Sequence, residues 1–107
     1  MAGGRAPEVF TLLVELGRAP GDGLPEGATG GALLCYAAAR DEAEAVRETV
    51  AVLRSAGLSP LEVTGQGTLA ERRAAGEEIG PEDAALMARA AAENAVIVAQ
   101  KTWFGAG

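Results

Sequence analysis

At 107 residues the chain has the length of one domain, and a net charge of −6 with eight Arg, one Lys and no His argues against a nucleic-acid or anionic-membrane partner. Without His, neither a Ser-His-Asp nor a Cys-His arrangement can be built within the chain, and a single Cys rules out an intrachain disulfide. Hydrophobic residues make up 49% of the sequence, but 24 of them are Ala and only 23 are Leu, Ile, Val or Phe, so the core is thin and a partner that buries further apolar surface is expected, most simply a second copy.

Residues 1–7 read as a flexible lead. EVFTLLVEL, residues 8–16, alternates Phe10, Leu12, Val14 and Leu16 against Val9, Thr11, Leu13 and Glu15, the pattern of a half-buried strand. The next segment, residues 17–30, is rich in Gly and Pro and is expected to be a flexible hairpin connection, or a flap over a ligand. ALLCYAAA, residues 32–39, is the second strand. Asp41 caps a helix in which Ala45, Val46, Thr49, Val50, Leu53 and Ala56 recur at spacings of three and four, with Gly57 and Pro60 stopping it.

PLEVTGQ predicts a third strand, with Leu61 and Val63 inward and Glu62, Thr64 and Gln66 outward, parallel to the second and joined to it by the helix. The glycines at 65 and 67 end it in a turn that could offer backbone N–H groups to an anion, although a plain strand-to-helix turn is the simpler reading. Residues 68–79 predict a short polar helix. Gly80-Pro81-Glu82-Asp83 is a helix start, with Pro at the first helical position and acids in the first turn. Residues 96–103, VIVAQKTW, predict the last strand, within a domain spanning residues 8–104 and followed by a tail over 105–107.

The order β-β-α-β-α-α-β suggests an α+β two-layer sandwich: a four-stranded mixed sheet with helices on one face, by analogy with ferredoxin-like sandwiches, whose usual order differs. No signal or membrane-spanning segment is recognised, and a soluble, cytoplasmic protein is expected. Neither a metal nor a cofactor is called for. Cys35, between Leu34 and Tyr36, reads as a buried small hydrophobe.

If the helices cover one face of the sheet, the other carries the candidate site. Glu15, Tyr36, Arg40, Glu62, Gln66 and Lys101 are the candidate ligand-binding residues, and Leu13 and Trp103 the candidate interface residues. The expected function is a small, non-catalytic, dimeric binding or regulatory module with a small-molecule or protein ligand. One alternative is a cofactor-free isomerase- or lyase-like enzyme, with Glu15 or Glu62 as base and Tyr36 or Arg40 orienting the substrate. Another is an acidic protein that meets a basic protein partner.

Overall fold

The structure, a computed structural model, describes residues 6–105; the expectations for residues 1–5 of the lead and 106–107 of the tail lie outside the described residues. The elements are β1 (Glu8–Leu16), β2 (Gly30–Ala39), α1 (Glu42–Ser55), β3 (Pro60–Thr68), α2 (Leu69–Ala74), α3 (Pro81–Glu93) and β4 (Val96–Phe104). They form an α+β fold around one four-stranded sheet of order β3-β1-β2-β4.

Every pairing in the sheet is antiparallel, which corrects the expected mixed sheet. The third strand does run parallel to the second, but β1 lies between them and pairs with both. The physical reason is that β1 and β2 form a hairpin, so the edge of β2 next to β1 is already taken when α1 carries the chain back. The last strand then fills the other edge of β2.

The helices do not share a face. On one side Leu12, Val14 and Leu16 of β1 with Leu33, Cys35 and Ala37 of β2 pack under Ala45 and Leu53 of α1. On the opposite side Val9 and Tyr36 pack under Met87 and Ala90 of α3, with Leu69, Ile79 and Ile97 closing around them. This overturns the one-face expectation, and its cause can be seen in β2. Strand β2 is apolar on both of its faces, so one layer of helices would leave half of it wet. Its run of Ala37, Ala38 and Ala39 is buried throughout.

Other local differences have local causes. The second helix stops at Ala74, well short of residue 79, because Gly76 turns the chain at φ 85°. The TGQG segment is strand rather than turn, and Thr68 and Glu71 form a capping box that fills the start of α2. Leu61, expected inward, is 64% exposed.

The connection between β1 and β2 is organised around a salt bridge. Arg18 Nε lies 2.9 Å from Asp22 Oδ2, and the Asp22 carboxylate also accepts from the backbone N–H groups of Ala19 and Leu24. Arg18 further donates to the carbonyls of Pro25 and Ala28. Leu24 and Ala28 are thereby buried, and Leu24 joins the core beside Leu53. The Arg18 hydrogen bond, followed by the two backbone donors, holds the Asp22 carboxyl well below the usual carboxylate range.

Two outcomes follow from this packing. Because the ionised form of Asp22 is the one stabilised in the fold, its contribution is complete above its unfolded pKa and declines as pH falls below about 4. Thermal melts of Asp22→Asn and the parent chain should therefore differ most near neutrality and converge progressively in acid. Leu53 is 2% exposed at the centre of the thin core. Leu53→Ala should cost about 2–4 kcal/mol in urea unfolding followed by circular dichroism.

Candidate binding cleft

The third helix reaches only half of the sheet face on which it lies. Past Tyr36 the face is bare, and it carries Leu13 and Glu15 of β1, Ala32 and Leu34 of β2, Glu62 and Thr64 of β3, and Thr102 and Phe104 of β4, in register across the sheet. Leu13, on a central strand, is 43% exposed, and Phe104 is 39% exposed. A cleft of about 350 Å³ is lined by Leu13, Glu15, Ala32, Glu62, Thr64 and Phe104. A smaller hollow of about 170 Å³ adjoins it at Leu13, where Gln66 meets Thr11, Leu34, Arg72 and Glu77.

Two features give this cleft its chemistry. Glu15 and Glu62 are direct cross-strand partners, so two carboxylates stand side by side on an otherwise apolar-dotted face. Like charges placed opposite each other cost the sheet about 0.2–1 kcal/mol, and nothing in the fold requires the pair. The second feature is the wall formed by α2 and the start of α3. Arg72, whose side chain is 18% exposed, donates from Nη1 to Thr11 Oγ1 at 2.9 Å and from Nε to Glu77 Oε1 at 3.0 Å. Arg72 thus joins the 75–80 connection to β1, and its charge is already engaged.

Behind this wall the Tyr36 hydroxyl donates to Asp83 Oδ1 at 2.6 Å. Burial, and secondarily the Asp83 carboxylate, push the Tyr36 phenol up to about 12, with Arg72 acting in the opposite direction. Cys35, fully enclosed on the α1 side, is pushed up to about 11 by burial.

The candidate residues therefore separate. Glu15, Glu62 and Gln66 line the two joined hollows, together with Leu13. Tyr36 belongs to the same sheet face but is 1% exposed beneath α3. Arg40 stands at the far end of β2, paired with Glu44 at 2.8 Å. Lys101 and Trp103 pair in register with Leu33 and Gly31 and occupy the α1 side of the sheet. A Cβ at Gly31 would lie 2.6 Å from Trp103 Cε3, so the indole packs closely against that glycine. Arg72 and Thr11 are contributors that the sequence reading did not select. Their contact spans 61 positions, and only the tertiary fold reveals it.

Two larger hollows, of about 510 Å³ each, lie elsewhere. The more acidic one is lined by Glu8, Asp41, Glu42 and Glu71, but Asp41 caps α1 and Glu71 caps α2, so both already serve the fold. Among the described residues no group of His, Cys, Asp or Glu has the arrangement to hold a metal ion, and no helix is long and apolar enough to cross a membrane.

Residues 9–105 match the family described as a domain of unknown function (DUF8846). The chain belongs to this family. The matched stretch takes in all of the sheet but Glu8, and helices α1, α2 and α3, so the cleft lies entirely within the family's domain. No curated protein and no solved structure matches the chain.

Tyr36 is the only Tyr, so absorbance near 295 nm follows its phenol alone. The neutral phenol is the form stabilised by folding, so its contribution is complete below pH 10 and is lost as pH rises toward about 12. The folded chain should show far less tyrosinate at pH 10.5 than the unfolded chain, and Asp83→Asn should move the onset downward. Tyr36→Phe should cost about 0.5–1.5 kcal/mol in urea unfolding.

Proposed function

We propose that this protein is a small, non-catalytic binding module whose working surface is the cleft on the uncovered half of the sheet. The observation that carries the reading is the asymmetry of that face. One half is sealed by α3, while the other leaves Leu13 of a central strand 43% exposed beside the Glu15–Glu62 pair. A sheet that can recruit a helix to cover Tyr36 but leaves Leu13 open is shaped for an occupant.

The chemistry of the lining supports an occupant that is an apolar group bearing a cation. Leu13, Ala32 and Phe104 supply apolar contact, and a cation between Glu15 and Glu62 would relieve their repulsion. Arg72 does not do this, because it is committed to Thr11 and Glu77. The distribution of reactive groups favours binding over catalysis. Tyr36 and Cys35 are both buried and held protonated at neutral pH, and Arg40 is remote from the carboxylates it would have to serve.

Titration with hexylammonium, followed by amide chemical shifts, tests the reading, with hexanol and hexanoate as controls. Hexylammonium is expected to shift residues 13–15 and 62–64 at millimolar concentration, hexanol weakly and hexanoate not at all. Glu15→Gln with Glu62→Gln should weaken the amine response about tenfold and raise the melting temperature of the free chain. Equal responses to amine and carboxylate, or shifts confined to other surfaces, would discard the cleft.

A further inference from the structure

A second uncovered strip lies on the other side of the sheet. Helix α1 lies mainly over β2 and β3, and a groove of about 510 Å³ opens between the helix, the end of β2 and the start of β4. Glu44, Glu48 and Val52 recur every fourth residue along α1 and line its helix wall, and Val96 lies on its strand side. Below Val96 on the same face of β4 follow Val98, Lys101 and Trp103. Val52 is 44% exposed and Trp103 is 36% exposed, with the indole packed against Gly31.

Charge is distributed unequally along this strip. At the end where α1 begins, Arg40 pairs with Glu44, while Glu48 makes no ion pair among the described residues. At the end where β4 finishes, Lys101 is the only Lys in the chain and makes no ion pair among the described residues. Between the two ends lie Val52 and Val98. A strip that is acidic at one end, apolar in the middle and basic at the other is complementary to itself under a twofold rotation. The rotation lays Lys101 of each copy against Glu48 of the other and stacks the apolar middles.

We infer that this protein forms a twofold dimer through the α1–β4 strip, with reciprocal Glu48–Lys101 pairs flanking a core of Val52 and Val98 and with Trp103 beside each Lys101, at the margin of the interface. The cleft on the opposite side of the sheet stays open in this dimer, so the inference is independent of the binding proposed for that cleft.

A charge-swap experiment tests both the surface and its register. Sedimentation velocity from 1 to 200 µM is run on the parent chain, on Glu48→Lys, on Lys101→Glu, and on an equimolar mixture of the two variants. Circular dichroism checks that these exposed substitutions leave the fold intact. The parent chain should dimerise, and each variant alone should raise the dissociation constant about tenfold, because each reciprocal pair then becomes a like-charge contact. The mixture should recover parent-like association as a heterodimer, since one variant carries only acids and the other only bases at the two positions.

Emission from Trp103, the only Trp, should shift to the blue as the parent chain dimerises. A parent chain that stays monomeric at 200 µM overturns the inference, as does a dimer indifferent to both swaps. A dimer broken by Leu13→Arg and untouched by the charge swaps would assign the interface to the cleft side instead, and would also overturn it.

Discussion

The central hairpin of β1 and β2 has to be buried on both of its faces, and the rest of the structure is arranged around that requirement. Strand β2 presents Leu33, Cys35, Ala37 and Ala39 to one side and Tyr36 and Ala38 to the other, all of them buried. Small residues make the double covering possible. With Ala along β2, with Ala45 on α1 and with Ala90 on α3, helix backbones can approach the sheet from either side without large side chains to fill the gap. A chain with 24 Ala and few large hydrophobes gains stability from such close approach rather than from a deep core.

The same economy explains why coverage is incomplete. Fourteen residues of α1 and thirteen of α3 cannot shield two faces of a sheet whose strands are nine or ten residues long. Each helix therefore protects the hairpin and leaves a flank. On the α3 side the flank is the end of the sheet around Leu13 and Glu15; on the α1 side it is the outer strand β4. The two bare regions have different chemistry because different neighbours border them. The α2–α3 connection walls the first into a cleft, with Arg72 and Glu77 at its margin. The second is a groove between α1 and the start of the edge strand.

The sequence reveals the elements much more readily than it reveals their arrangement. The alternation of β1, the Asp41 cap and the Gly80-Pro81 start are local signals, and the structure places elements at each of them. Strand pairing and helix placement depend on contacts between distant residues, and here a local pattern misleads. The alternation of β1 suggested one dry face, while the uniformly apolar β2 beside it required two. The loop at residues 17–30 illustrates a second limit. Its glycines and prolines suggest flexibility, yet the Arg18–Asp22 pair four residues apart organises the turn and carries Leu24 into the core. Within the site, Glu15, Glu62 and Gln66 could be placed on one face by parity alone. The burial of Tyr36 against Asp83, 47 residues away, could not.

That burial bears directly on what the face can do. Tyr36 and Glu15 project from the same side of the hairpin, and a sheet with only one helical layer would expose both to one ligand. Because α3 crosses the near half of the face, the phenol is removed from solvent and its proton is held between burial and Asp83, while Glu15 stays open beside Glu62. The helix therefore divides one chemically mixed surface into a sealed polar contact that fixes the wall and an open carboxylate pair that can meet a ligand. Arg72 joins the two halves. By tying Thr11 to Glu77 it holds the α2–α3 connection against β1, at the boundary where the sealed half ends and the cleft begins. The position of that boundary therefore rests on Arg72, whose largely buried side chain carries the hydrogen bond from α2 to the central strand β1.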